Sequence, residues 1–206
     1  MSRFGEARFL VSAARSAQFP PDRGVEIAFA GRSNAGKSSA INAILARRAL
    51  ARTSKAPGQT RLLNFFELAP ERRIVDLPGY GYARVRARER LAWPPLIDAL
   101  RARVSLRGLF LIVDARRGLA DLDSALIDWA QPELRGVHVL LSKADKLTRS
   151  EGSRALQMAR AALGARATVQ LFSAMHDVGR AQAQQQLLSW LAESDQPGRE
   201  RKDQQG

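Results

Sequence analysis

The chain reads as a three-layer α/β fold, with a mostly parallel six-stranded sheet, one antiparallel strand and helices on both faces. Three observations carry that reading. Apolar runs of strand length alternate with helix-period segments along most of the 206 residues. One such run, Val25 to Ala30, leads straight into the Gly-rich turn Gly31-Arg32-Ser33-Asn34-Ala35-Gly36-Lys37-Ser38 and then a helical segment. Three other strands end in short polar motifs, at the edge where open α/β sheets bind ligands.

Residues 1–24 hold a short apolar patch, Arg8-Phe9-Leu10-Val11, before Phe19-Pro20-Pro21-Asp22, and read as a short strand or extended arm ahead of the main domain. The domain spans 25–192. Its first helix runs Ser38 to Arg48 with Ile41, Ile44 and Leu45 on one face, and Arg47 and Arg48 suit its negative C-terminal end. Residues 49–61 lack periodicity, include a Pro-Gly turn and read as a mobile basic loop. Leu62 to Leu68 and Arg73 to Asp76 flank Ala69-Pro70-Glu71 and form an antiparallel hairpin. A helix over about 87–103 follows, interrupted by Pro94-Pro95. Three strand-then-helix units come next: Gly108–Asp114 with 121–130, Val137–Ser142 with 149–163, and Thr168–Ser173 with 177–192. The tail 193–206 is polar and expected to be disordered.

The turn Gly31 to Ser38 fits G-x-x-x-x-G-K-[S/T], a phosphate-cradling P-loop. Its backbone N–H groups form an anion nest and the following helix adds its positive end. Lys37 would reach the β- and γ-phosphates, and the Ser38 hydroxyl would ligate Mg²⁺. Asp76-Leu77-Pro78-Gly79 closes a strand, so Asp76 is placed to hold Mg²⁺ through water and the Gly79 N–H to meet the γ-phosphate. Thr60, at the end of the basic loop, is placed to complete the Mg²⁺ shell and sense the γ-phosphate. In Ser142-Lys143-Ala144-Asp145 the carboxylate can accept from guanine N1–H and the 2-amino group, whereas adenine offers neither donor. The Lys143 stem would lie along the base, the Ser173 side chain would brace the Asp145 loop and the Ala174 N–H would bond guanine O6. His138 and His176 are isolated and receive no role.

With these motifs the chain resembles a translation-factor-type GTPase, and more narrowly the EngB family of bacterial ribosome-biogenesis GTPases. The similarity rests on Phe29 to Ser39, on Ala51 to Lys55 with Pro57-Gly58-Gln59-Thr60, on Val75 to Ala83 and on Lys143 to Leu147, and spans about residues 5 to 192. Asp76-Leu77-Pro78-Gly79-Tyr80-Gly81-Tyr82 is its most family-specific part. The resemblance implies a P-loop GTPase fold, GTP or GDP with Mg²⁺ as ligands, and binding to the large ribosomal subunit and its rRNA during assembly. It also implies nucleotide contacts from Ser39, Gly58, Gln59, Leu77 and Pro78. Ser142 departs from the Asn general in GTPases and the Thr favoured in this family, and Gln59 and Arg61 flank Thr60 in an altered order.

Related GTPases also bear on mechanism. Tyr80 stands where Ras-like GTPases carry the glutamine that positions attacking water, so hydrolysis is expected to be slow. Asn34 matches the position that helps coordinate K⁺ in related GTPases, an ion that could supply the charge of an arginine finger. Lys37, Thr60, Gly79 and Asn34 are therefore the catalytic candidates.

Composition sets the outer limits. Thirty-three Lys and Arg against twenty Asp and Glu give +13 and a pI near 11.4, which suits a polyanionic partner beyond one nucleotide, although a generally basic solvated surface would look similar. With no cysteine, disulfide frameworks and thiolate metal sites are excluded. Met1 to Leu10 has no long apolar run, and none approaches the roughly 18 residues that span a bilayer, so a soluble, cytoplasmic protein without membrane contact is expected; a monomer is expected as well. Two other readings stay open: an adenine-nucleotide P-loop kinase or ATPase, against which Asp145 argues, and an RNA-binding switch with negligible hydrolysis.

Overall fold

The computed structural model describes residues 4, 6–51, 62–81, 95–131 and 136–192. Its elements run β1 (Arg8–Ala13), β2 (Val25–Gly31), α1 (Lys37–Ile44), β3 (Leu63–Ala69), β4 (Arg72–Asp76), α2 (Pro95–Arg101), β5 (Leu106–Asp114), α3 (Asp121–Ala130), β6 (Gly136–Ser142), α4 (Arg149–Leu163), β7 (Thr168–Leu171) and α5 (Arg180–Ala192). The strands form one sheet in the order β1-β3-β4-β2-β5-β6-β7. β3 is antiparallel to both of its neighbours, and every other pair is parallel. Among the described residues the sheet has one strand more than the six expected, because β1 from the N-terminal arm docks on β3. That strand is short and half-exposed, so its own residues carry little burial signal, and its partner lies far along the chain.

The sheet is covered on both faces, which explains the largely apolar make-up of its central strands. In β5, Phe110 and Ile112 pack with Ile41 and Ile44 of α1 and Leu187 and Trp190 of α5. Leu109, Leu111 and Val113 face the other way, toward Ile97 and Leu100 of α2, Leu126 and Ile127 of α3, and Ala159 and Leu163 of α4. The two-residue period of the strand separates the two cores.

α1 ends at Ile44, short of the expected Arg48, so Arg47 and Arg48 lie beyond its last turn. The reason is local: the Asn42 side chain bonds both the N–H and the C=O of Ala51, at 2.8 and 2.9 Å, and Ala46 takes a left-handed φ of 51°. A polar side chain thus offers the backbone an alternative to another helical turn. Of the helix expected over 87–103, Pro95–Arg101 is helical, while 82–94 lie outside the described residues. α5 starts at Arg180, three residues later than expected from 177.

One polar cluster joins the arm to the sheet beneath the cores. Glu26 in β2 is fully buried and accepts from Arg73 Nε at 2.8 Å and from Arg103 Nε at 2.6 Å. The same guanidinium groups donate to the carbonyls of Pro20 and Pro21, which pins the chain entering β2. Removing one member of a buried ionic network leaves the others desolvated without compensation. Glu26→Ala is therefore expected to cost about 3–5 kcal/mol of stability, read as a lower urea midpoint at unchanged slope; a variant as stable as the parent would show that the network contributes nothing.

Candidate functional site

β2, β4, β5 and β6 are parallel, so their C-terminal ends, Gly31, Asp76, Asp114 and Ser142, come out at one edge of the sheet. After β2 the chain turns toward β3 and β4 on one side, and after β5 toward β6 and β7 on the other. This reversal between adjacent strands is where doubly wound sheets open a crevice for ligands.

The P-loop Gly31–Ser38 bridges β2 and α1 at that crevice. Gly36 has φ 96°, a conformation in which a side chain would be strained, and Asn34 has φ 63°, which asparagine tolerates better than most residues. The carbonyls of the turn are held from outside: Lys143 Nζ donates to Asn34 O at 2.7 Å and Ser142 Oγ to Ala35 O at 2.5 Å. Ser142, the residue that departs from the family pattern, thus still ties β6 to the P-loop.

Lys37, the first residue of α1, forms an ion pair with Asp76 Oδ1 at the end of β4. Burial pushes the Asp76 carboxyl up, and the Lys37 ammonium opposes that shift. The serine hydroxyl of Ser38 and the Asp76 carboxylate are hard oxygen donors suited to Mg²⁺, which takes one or two protein oxygens and fills its shell with phosphates and water. No group of three or more His, Cys, Asp or Glu able to hold a metal occurs among the described residues.

The segment after Asp76 lies against the P-loop. Ser33 N–H donates to Tyr80 O at 2.9 Å, and a Cβ at Gly79 would stand 3.3 Å from Ser33 Cα, so a side chain there would press on the turn. Tyr80 sends its ring away from the phosphate side, and its hydroxyl donates to Asp123 Oδ1 of α3 at 2.6 Å. It anchors this segment to α3.

At the other end, Lys143 has φ 60° and spans from Asn34 O to Asp114 Oδ2, at 2.7 and 2.9 Å. Asp145 Oδ1 accepts from Ser173 Oγ at 2.7 Å, as expected of a brace, and that bond is the main reason its carboxyl lies below the ordinary range. Ser173 Oγ also accepts from the Met175 and His176 N–H groups, shaping the turn that contains Ala174. P-loop, Asp76, Gly79, Lys143, Asp145, Ser173 and Ala174 thus share one edge. Gly58, Gln59 and Thr60 lie outside the described residues. His138 is buried between β6 and β7, where it bonds Thr168 and Gln170, and burial lowers its pKa; its role is structural.

Sequence reasoning passed over Asp114 and Asp123. Asp114 was detectable by the strand-end rule that singled out Asp76, and Asp123 as an acidic residue in the first turn of a helix.

Asp145→Asn tests the base assignment, since its remaining oxygen can still accept from Ser173 while its amide donates where the carboxylate accepted. Competition binding is expected to turn preference from guanine to xanthine nucleotides by about a hundredfold or more; an unchanged guanine preference would remove Asp145 from base recognition.

Comparison with known proteins places this geometry. A sequence family described as 50S ribosome-binding GTPase matches residues 26–143. A protein of Aromatoleum aromaticum named "Probable GTP-binding protein EngB" is 49% identical over 195 residues, covering 93% of this chain and 90% of its own length. One of the same name from Coxiella burnetii is 45% identical over 192 residues, covering 91% and 94%. A solved structure titled as a probable GTP-binding protein engB superposes with a TM-score of 0.61 at 19% identity, over 81% of this chain and 98% of that one, and so supports the fold. Identity near one half, sustained along nine-tenths of the sequence, makes the chain a member of the EngB family of GTP-binding proteins.

Proposed function

We propose that this chain is a slow GTPase that acts as a nucleotide-gated switch in assembly of the large ribosomal subunit. The observation that carries the reading is the convergence, at one sheet edge, of a P-loop, a buried strand-end carboxylate followed by Gly79, and a carboxylate braced to face a base. The ribosomal part is supported by the matching family, described as ribosome-binding, and by the +13 charge, which favours a polyanion such as rRNA.

Inward-facing P-loop amides and Lys37 would bind the phosphates, while Asp145 and Lys143 select and seat the guanine. Ser38, Asp76 and Thr60 would hold Mg²⁺, which would offset charge on the phosphate oxygens. Lys37 is paired with Asp76, so nucleotide and metal loading would redistribute the contacts of both groups. The Gly79 N–H would sense the γ-phosphate, and hydrolysis would release the segment that Tyr80 anchors. Asn34 is exposed, and its side-chain oxygen would be the group that coordinates K⁺. Among the described residues no helix is long and apolar enough to cross a membrane. The adenine-nucleotide alternative has no support in a carboxylate at the base position, because adenine leaves it unpaired.

Turnover is expected to be slow and to rise when Na⁺ is replaced by K⁺ or when large ribosomal subunits are added, measured as phosphate release. Equal rates in K⁺ and Na⁺, with or without subunits, would overturn the catalytic part. Cosedimentation with the large subunit is expected to depend on whether GTP, GDP or no nucleotide is present; binding that ignores the nucleotide, or no binding, would overturn the switch.

A further inference from the structure

We propose that the end of β5 and the first turn of α3 carry two positioning carboxylates, one for each end of the nucleotide: Asp114 sets Lys143 at the base, and Asp123 sets Tyr80 and thereby Gly79 at the γ-phosphate. The inference rests on the guanine-nucleotide reading above.

Asp114 is the last residue of β5 and lies beside Ser142 in the β5–β6 register. It is only 6% exposed. Its Oδ1 accepts from the Arg116 N–H and Nε, and its Oδ2 from Arg116 at 2.7 Å and Lys143 Nζ at 2.9 Å. The Arg116 bonds hold the carboxyl below the ordinary range, so it stays ionised beside Lys143. Lys143 is consequently tethered at its tip to both Asp114 and the P-loop carbonyl of Asn34. A lysine stem is flexible when free. Fixing its tip orders the methylenes that would lie along the base, and this effect does not depend on how many phosphates the nucleotide carries.

Asp123 is the third residue of α3 and is fully buried. Its Oδ2 accepts from the Ala120 N–H at 2.9 Å, which caps the helix, and its Oδ1 takes the Tyr80 hydroxyl at 2.6 Å. Burial pushes the Asp123 carboxyl up, and the bonds from Tyr80 and Ala120, with the Arg32 charge, oppose that shift. Tyr80 is also tied through its backbone, with its carbonyl accepting from Ser33 and its N–H donating to Gly31 O at 3.4 Å. With side chain and backbone both held, the adjoining Gly79 peptide is aimed as well. That peptide would touch only a triphosphate, so loss of the Tyr80–Asp123 bond weakens GTP and spares GDP.

The test is equilibrium binding of fluorescent GDP and of a fluorescent non-hydrolysable GTP analogue, with Mg²⁺, to the full chain and its variants. Asp114→Asn is expected to weaken both ligands by about tenfold, and the loss is expected to vanish in a Lys143→Ala background. Tyr80→Phe, which keeps the ring, is expected to weaken the GTP analogue by about tenfold and leave GDP within twofold; Asp123→Asn gives the same pattern from the other partner. A merely structural role would lower the nucleotide-free Tm without that split and without coupling to Lys143. Equal loss for both ligands in Tyr80→Phe, or a loss in Asp114→Asn that persists without Lys143, would overturn the proposal. Failure of the parent chain to bind either ligand would instead overturn the guanine-nucleotide reading.

Discussion

A P-loop can bind an anion only if its amides point inward, and a peptide unit that turns its N–H in must turn its C=O out. Those outward carbonyls need partners of their own. Lys143 supplies one to Asn34 and Ser142 one to Ala35, both from the end of β6. The loop proposed to read the base is therefore also the external brace of the phosphate loop. Sequence distance hides this dependence, because the two segments are joined only through the parallel sheet that sets β6 beside β5 and β5 beside β2.

The same economy governs the charged groups. Asp76, Asp114 and Glu26 are each nearly or fully buried, and each has a basic partner from another element: Lys37, Lys143 and Arg73 with Arg103. Carboxylates at such depth would be too costly unpaired. Two of these pairs sit where a nucleotide would bind, so their partners are also the groups that ligand binding would rearrange. The third, around Glu26, lies at the opposite end of β2 and fixes the entry of the arm into the sheet. Stability and binding thus draw on the same kind of interaction at the two ends of one strand.

Most of the fold was legible because its central strands are covered on both faces. Val25–Gly31, Leu106–Asp114 and Gly136–Ser142 had to be largely apolar, and the stretch between β5 and β6 is filled by a helical crossover. β1 was less legible, because an edge strand half-open to solvent shows little pattern. The end of α1 escaped for a different reason, since periodicity cannot register an Asn42 side chain reaching Ala51.

The candidate site divides along the same line. Residues whose chemistry is tied to a short contiguous motif, such as Lys37, Ser38, Asp76, Gly79 and Asp145, were determined by the amino-acid sequence alone, because local backbone geometry dictates what those motifs can do. Which atoms restrain them was decided only by tertiary structure. Tyr80 could be read as the absence of a glutamine, but its bond to Asp123 required α3 to pack beside the crevice. Asp114 meets Lys143 only because β5 and β6 are neighbours in register. Motifs name the candidate groups for meeting a ligand; packing among distant elements sets where those groups are held.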